Sequence, residues 1–79
     1  MNRIKRILIA NRGEIALRII RTVKELGIDA VAVYEKPDSE AYFLRFADQA
    51  ILIGDGPRKD YLDIEKIIWA ARNSGADAI

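Results

Sequence analysis

The turn Asn11-Arg12-Gly13 is the part of this sequence whose residue types are best suited to binding chemistry. It follows a short apolar run and precedes a helical pattern, and in α/β sheets ligands bind beyond the carboxyl ends of the strands. A glycine lets the backbone turn sharply, and the helix N-terminus behind it can hold an anion. Asn11, Arg12 and Gly13 are therefore a candidate weak anion-binding turn. The alternative is an ordinary helix start in which Gly13 is needed only for its backbone angles.

A dinucleotide-binding fingerprint is not completed at this turn. The pattern G-x-G-x-x-G needs glycine where the chain has Ile15 and Arg18. Glu35, at the end of the second apolar run, stands where a ribose-binding acid would be. Exposed strand ends often carry glutamate, so Glu35 alone does not indicate a nucleotide.

Composition excludes most other catalytic chemistry. The 79 residues contain no cysteine and no histidine, which rules out a disulfide scaffold, thiolate chemistry, an imidazole base and a zinc site of the usual kind. Asp60 and Asp63 are close in sequence, but a helix N-cap explains Asp63 without a metal. Tyr61 and Trp69 are expected to pack in the core or partly at the surface rather than to form a stacking platform. The residues themselves thus predict no self-sufficient active site.

Charge is balanced overall, at +1, but it is uneven along the chain. Residues 1–24 carry seven Lys or Arg against one acid, whereas the rest carries six against eleven. A basic end can mark a nucleic-acid surface, but no aromatic residues interleave with these cations, so exposed faces of the fold explain them better and no nucleic-acid partner is expected. No apolar run approaches the roughly 20 residues of a membrane span. The absence of cysteine fits a cytoplasmic chain.

The apolar pattern alternates between strand and helix. Strands are predicted at residues 4–10, 30–34, 49–53 and 76–79, and helices at 14–26, 41–47 (short) and 64–73. This order predicts an α/β fold, a three-layer Rossmann-like βαβαβαβ arrangement with a parallel sheet and right-handed crossovers, its last strand truncated. The apolar stripes expected to face the sheet comprise Ile15, Ala16, Ile19, Ile20, Val23 and Leu26 on the first long helix and Ile64, Ile67, Ile68 and Ala71 on the second.

The string from Ile7 to Arg21, ILIANRGEIALRIIR, closely resembles the opening of the biotin carboxylase component of biotin-dependent carboxylases. The likeness continues in order through KELGI, AVAVY, ADQA, the Tyr61-Leu62 pair and SGADAI. Acetyl-CoA, propionyl-CoA, pyruvate and urea carboxylases share this segment, so it does not separate them. The chain departs from the usual pattern at Phe43, where histidine is common, at Asp63, where asparagine is frequent, and in the loop 54–59.

The resemblance implies an enzyme that uses ATP and Mg²⁺ or Mn²⁺ to activate bicarbonate as carboxyphosphate and then carboxylates N1 of biotin. It also implies that the catalytic, ATP-binding and metal-binding residues lie further along, in the ATP-grasp and C-terminal parts. No catalytic, cofactor-binding or metal-binding residue of the family maps onto residues 1–79. What maps is the N-terminal, pre-ATP-grasp domain, expected to be inactive and without cofactor on its own as a fragment of a longer chain.

The partners implied by the resemblance are the remaining parts of the same chain, a biotin carrier domain and a second copy in a homodimer. Arg21 and Glu25 match positions that the family uses at its subunit interface, and the alternative is a solvated i,i+4 pair. The second hypothesis for the whole chain is a stand-alone nucleotide- or anion-binding module that uses Asn11-Arg12-Gly13. The third is a purely structural interaction domain. The truncated sheet edge predicts that the isolated chain dimerises or pairs through that edge.

Overall fold

Three parallel strands and two α-helices alternate in the computed structural model, which describes residues 3–79. They are β1 Arg6–Ile9, α1 Gly13–Glu25, β2 Asp29–Glu35, β3 Gln49–Gly54 and α2 Ile64–Ser74. Short 3₁₀ helices occupy Lys36–Asp38, Tyr42–Phe46 and Asp60–Leu62. The first three predicted strands and both long predicted helices are present, and their bounds agree within a few residues because each element carries its own apolar period.

The sheet has the order β1-β2-β3, with both pairs parallel. On the free side of β1, Ala78 forms a parallel bridge to Ile7, and Leu8 N donates to the Ala78 carbonyl oxygen at 2.9 Å. The predicted fourth strand is therefore represented by a single bridge. Asp77 strengthens this junction, since its Oδ2 accepts from Lys5 N at 2.8 Å. The predicted α/β fold with a parallel sheet is confirmed.

The two faces of the sheet are covered by different elements. Ile9, Ala30 and Ala32 belong to the core cluster that contains α1 and Phe43. The alternate positions pack on the other side with Ile67 and Ala70 of α2, and they are Leu8, Val31, Val33 and Ile53. Successive strand residues point to opposite faces, so this division gives the three layers that the sequence predicts.

Helix α1 buries a narrower stripe than its apolar pattern suggests. Ile15 and Leu26 are 61% and 69% exposed, so the prediction that both face the sheet is wrong. Leu17 is buried instead and shares the core cluster with Phe43. The predicted short helix over 41–47 is present as the 3₁₀ helix Tyr42–Phe46, and this segment covers the flank of α1 on which Leu17 lies.

Helix α2 begins at the N-cap that the sequence predicts, because Asp63 Oδ1 accepts from Lys66 N at 3.2 Å. Its buried side carries Ile67, whereas Ile64 and Ile68 are 74% and 41% exposed, so the wider predicted stripe is wrong at these two positions. Trp69 is also more than half exposed. Within residues 3–79, no helix is long and apolar enough to cross a membrane.

Candidate functional site

Three turns meet at the edge of the sheet where the parallel strands end. They follow β1 (residues 10–12), β2 (36–38) and β3 (55–60). Arg12 is the extended N-cap of α1, with φ −131° and ψ 169°, and Gly13 begins the helix at φ +63°. A Cβ at Gly13 would meet nothing within 4 Å. The requirement for glycine here is therefore conformational, which favours the helix-start interpretation of this residue.

The guanidinium of Arg12 forms a two-pronged ion pair with Asp38. Arg12 Nε donates to Asp38 Oδ2 at 3.0 Å, and Nη2 donates to Oδ1 at 2.8 Å. These hydrogen bonds raise the pKa of Arg12 and hold the pKa of Asp38 below its usual value. An anion arriving at the turn Asn11-Arg12-Gly13 would have to compete with this carboxylate.

Tyr61 connects the same ion pair to β2. Its Oη donates to Asp38 Oδ2 at 2.7 Å and accepts from Glu35 N at 3.3 Å. Burial, followed by the hydrogen bond to Asp38, raises the pKa of Tyr61 to about 12. The turns after β1 and β2 and the 3₁₀ helix before α2 are thus joined by one hydrogen-bonded network.

Glu35 is 2% exposed, so the expectation of an exposed acid at this strand end is wrong. Its Oε1 accepts from Arg58 N and its Oε2 accepts from Asp60 N at 2.9 Å. Both oxygens are held by the backbone after β3. The carboxylate therefore serves the loop that follows β3 and is not presented to a ribose.

Asp60 is the second buried acid at this edge, with 1% exposure. Its Oδ2 accepts from Gly56 N at 2.8 Å, and its Oδ1 forms an ion pair with Lys66 Nζ. The hydrogen bond from Lys66 is the main reason that the pKa of Asp60 lies below its ordinary value. Sequence reasoning missed this pair because a six-residue separation across a 3₁₀ helix and a helix start follows no helical spacing.

A cavity of about 210 Å³ lies beside the N-terminus of α1. Its polar lining comprises Arg12, Glu14 and Asp38, and apolar residues supply most of the rest. Among residues 3–79, no three Asp, Glu, His or Cys side chains are grouped so that they could hold a metal ion. The acids and cations described above bind one another and the backbone, so the arrangement holds the three turns together.

The two predicted interface residues lie on a different surface. Arg21 and Glu25 are both exposed on α1, and they form no ion pair within the described part of the chain. The Arg21 guanidinium lies 5.7 Å from the centroid of the Phe46 ring, and the Phe46 ring meets that of Tyr42 edge-on at 5.0 Å. Arg21 is therefore held against an aromatic pair rather than against Glu25. The structure does not bring these residues near Asn11-Arg12-Gly13.

Two apolar grooves lie on either side of Ile79, which is 63% exposed. The groove on the α2 side also contains Leu62, Ile64 and Ile68, all exposed. The groove on the α1 side is lined by Ile7, Ile9, Ile19 and Val23 among others. The contiguous exposed apolar surface on the α2 side is typical of a contact face.

Comparison with known proteins identifies the family of this chain. The family model described as "Biotin carboxylase, N-terminal domain" matches residues 3–79. Biotin carboxylase 1 of Bacillus subtilis is 52% identical over 77 residues, which are 96% of this chain and 17% of that protein. A putative urea carboxylase of Emericella nidulans is 48% identical over 79 residues, 100% of this chain and 6% of that protein. The chain thus spans less than a fifth of the length of these curated relatives.

Solved structures agree with the sequence relatives. The crystal structure of a biotin carboxylase complex with βγ-ATP from Campylobacter jejuni superimposes with a TM-score of 0.94 at 52% identity, covering 98% of this chain and 18% of that one. The Rhizobium etli pyruvate carboxylase gives a TM-score of 0.92 at 41% identity, covering 99% of this chain and 8% of that one. The match thus extends over nearly every described residue in both sequence and fold, and the chain belongs to the biotin carboxylase N-terminal domain family.

Proposed function

We propose that this chain acts as the N-terminal domain of an ATP-dependent biotin carboxylase that carboxylates carrier-bound biotin with bicarbonate. The observation that carries the proposal is the match of residues 3–79 to the family, together with the 0.94 TM-score to a biotin carboxylase. In this proposal the chain supplies a folded body and contact surfaces. ATP, Mg²⁺ or Mn²⁺ and biotin belong to the ATP-grasp and C-terminal parts.

The buried acids of this domain support the proposal that metal and cofactors bind elsewhere in the enzyme. Each buried acid at the carboxyl edge of the sheet already has donors from within the chain: Arg58 N and Asp60 N for Glu35, and Gly56 N and Lys66 Nζ for Asp60. A divalent cation would have to displace these donors, so the described residues do not fit a metal site. The grooves beside Ile79 are instead suited to packing against the rest of the enzyme.

A chimera tests the proposal. The matching 77 residues of the Bacillus subtilis biotin carboxylase 1 are replaced by this chain, and bicarbonate-dependent ATP hydrolysis and biotin carboxylation are measured. The chimera is expected to be active, and the isolated chain is expected to show neither reaction. Measurable turnover by the isolated chain, or a folded chimera that binds ATP but is inactive, would contradict the proposal.

The interface part of the proposal concerns Arg21 and Glu25. A homodimer contact at this face is supported by the exposure of both residues on α1 and by the position of Arg21 against Phe46, which forms an exposed aromatic pair with Tyr42. Arg21→Glu in the active chimera is expected to shift the dimer toward monomer in analytical ultracentrifugation. Arg18→Glu, one turn earlier on the same helix, is the matched control because Arg18 already pairs with Glu14 at 3.7 Å. Equal effects of the two substitutions would contradict a specific contact at Arg21.

The remaining partners and the location follow from the same proposal. A biotin carrier domain is the macromolecular substrate, and a cytoplasmic location is consistent with the absence of cysteine from the whole sequence. Cell fractionation with an antibody against the chain tests the location. Recovery in an exported fraction would contradict it.

A second candidate function is nucleotide or anion binding by Asn11-Arg12-Gly13, favoured by the cavity beside Gly13. The ion pair of Arg12 with Asp38 opposes it. Titration of ATP or ADP into the isotope-labelled chain distinguishes the two: tight binding with shifts confined to residues 10–15 supports the module. Asp38→Asn, which frees Arg12, is expected to strengthen any such binding. Self-association without a nucleotide response would instead support a purely structural interaction domain.

A further inference from the structure

The loop of residues 55–60, between β3 and the 3₁₀ helix Asp60–Leu62, is attached to the fold by two buried carboxylates. Glu35 accepts from Arg58 N and Asp60 N, and Asp60 accepts from Gly56 N. Among the described residues, the other backbone bonds of this loop run from Lys59 N to the Pro57 carbonyl oxygen at 2.8 Å and to the Lys59 and Asp60 carbonyl oxygens from Leu62 N and Asp63 N, and none of them reaches β2. The contacts that hold the loop against β2 therefore depend on charged acceptors.

The charge balance of this cluster depends on Lys66. Glu35 and Asp60 together carry two negative charges with almost no exposure, and the Lys66 ammonium reaches Asp60 from α2 with 41% of its side chain exposed. The other charged or titratable groups near the cluster are Asp55, Asp63, Arg58, Tyr61 and Asp38. Lys66 is the cation that contacts a buried acid of the cluster directly, and its loss would leave that acid without a counter-charge.

Two glycines, Gly54 and Gly56, leave room for the carboxylates of Asp60 and Glu35. A Cβ at Gly54 would collide with the Asp60 carboxylate, and a Cβ at Gly56, where φ is +73°, would lie 3.1 Å from Glu35 Oε1. The two glycines thus let the carboxylates approach the backbone closely.

We propose that the loop 55–60 is a strap that the Glu35–Asp60–Lys66 cluster keeps closed, and that it opens as a unit while the sheet remains folded. Opening follows when Asp60 is protonated or when the Lys66 charge is removed. A protonated Asp60 loses its charge and with it the ion pair to Lys66, and Gly56 N then donates to a neutral and weaker acceptor. This inference is independent of the proposed enzymatic function.

The direction of the pH dependence follows from Lys66. Its hydrogen bond lowers the pKa of Asp60, so the closed strap survives to a lower pH than an ordinary aspartate would allow. Removing the ammonium takes away the largest of the effects that lower this pKa, so burial, which favours the neutral acid, is then opposed only by the hydrogen bonds from Gly56 and Glu35. Lys66→Met is therefore expected to move opening toward neutral pH.

Amide hydrogen exchange of the isotope-labelled chain, followed by NMR across pH and corrected for intrinsic rates, tests the proposal. In Lys66→Met the amides of Gly56, Arg58 and Asp60 are expected to lose about tenfold or more of their protection near neutral pH. Sheet amides such as those of Val33 and Ile51 are expected to keep theirs. In the unmodified chain the same loop amides are expected to lose protection only under acid conditions.

Two further variants make the result decisive. Glu35→Gln keeps the size of the side chain but replaces one acceptor oxygen with an NH₂ group, so one of the Arg58 and Asp60 amides loses its acceptor and the strap is expected to open at neutral pH. Lys59→Met, at an exposed lysine of the same loop, is the matched control and is expected to change nothing. Unchanged loop protection in both Lys66→Met and Glu35→Gln would overturn the proposal. Equal loss of protection in the loop and the sheet would overturn it too.

Discussion

Asp48 and Ala30 exchange two hydrogen bonds across the start of the sheet. Ala30 N donates to Asp48 Oδ2 at 2.8 Å, and Asp48 N donates to the Ala30 carbonyl oxygen at 2.8 Å. Lys24 Nζ, from the last turn of α1, donates to Asp48 Oδ1 at 2.5 Å. One side chain therefore holds the end of α1 and the beginnings of β2 and β3 together.

Asp48→Ala is expected to lower the free energy of unfolding by about 1–3 kcal/mol, because it leaves the amide of the fully buried Ala30 without an acceptor. Asp48→Asn keeps an acceptor oxygen and is expected to cost less. Urea denaturation measures both. Lys24→Met, at a half-exposed side chain, is the control, with an expected cost below about 1 kcal/mol. A cost for Asp48→Ala no larger than for Lys24→Met would contradict this account.

Acid is expected to destabilise the chain through its hydrogen-bonded aspartates. The pKa values of Asp38, Asp48 and Asp77 are lowered by hydrogen bonds from Arg12, from Lys24 and from the Lys5 amide, respectively. The unfolded chain takes up these protons near the ordinary aspartate pKa of about 3.9, and the folded chain does so only at lower pH. Their stabilisation is complete above that value and is lost as pH falls through the folded pKa values.

Denaturation midpoints measured from about pH 5 down to about pH 2 test this direction. Asp77→Asn removes one of the groups and is expected to flatten the acid limb of the curve. An unchanged acid limb would show that Asp77 does not contribute.

Tyr61→Phe is expected to cost about 1–3 kcal/mol at neutral pH, because Asp38 loses a donor and the amide of Glu35 loses an acceptor. The raised pKa of Tyr61, about 12, also predicts alkaline sensitivity. The unfolded chain releases this proton near pH 10, so the stabilisation is complete below about that value and is lost as pH rises toward the folded pKa. Phenolate absorbance should contain one component at about 12 that Tyr61→Phe removes. Tyr42→Phe, at an exposed ring, should retain it.

Gly54→Ala is expected to destabilise the chain by about 1–3 kcal/mol, because the new Cβ meets the Asp60 carboxylate. The cost arises from one contact, so a double-mutant cycle should reveal it. In an Asp60→Ala background the same substitution is expected to cost far less. Additive effects of the two changes would show that the contact with Asp60 is not the cause.

Self-association is expected for the isolated chain at high concentration. Ile79 and several apolar residues of α2 are exposed, and β3 presents a free edge. Arg21→Glu is expected to weaken association through the α1 face and to leave edge pairing intact. Sedimentation measures the species, and acrylamide quenching of Trp69, the single tryptophan, reports whether α2 is covered. A strictly monomeric chain at high concentration would contradict the prediction.

The order of elements and both helix ends could be predicted because local sequence determines them. Gly27 and Gly75 follow the two helices at φ +75° and +73°, and Asp63 caps α2 as its position indicates. The apolar pattern of a helix did not predict which of its residues are buried where a segment distant in sequence covers them. Leu17 is buried because the 3₁₀ helix Tyr42–Phe46 lies over it, and the apolar periodicity of α1 contains no information about that segment.

The same limit applies to the charged residues at the carboxyl edge of the sheet. The residue types at Asn11-Arg12-Gly13 are compatible with an anion site, but the ion pair of Arg12 joins it to Asp38, 26 residues away. The burial of Glu35 depends on a loop more than twenty residues further along. Arg12 and Glu35 meet these partners because turns that are distant in sequence come together in the fold. No regular spacing within one sequence indicates which turns will meet.

The position of β1 between β2 and Ala78 has a consequence for synthesis on the ribosome. β1 is translated before both of its neighbours, and one of them emerges about seventy residues later, as the 72-residue separation of Lys5 and Asp77 shows. During this interval the nascent chain can form β1 and β2 while one side of β1 has unpaired backbone groups. Such an edge is a template for pairing with another chain. The speed at which residues 76–78 leave the exit tunnel therefore sets how long each new molecule is vulnerable to misassembly.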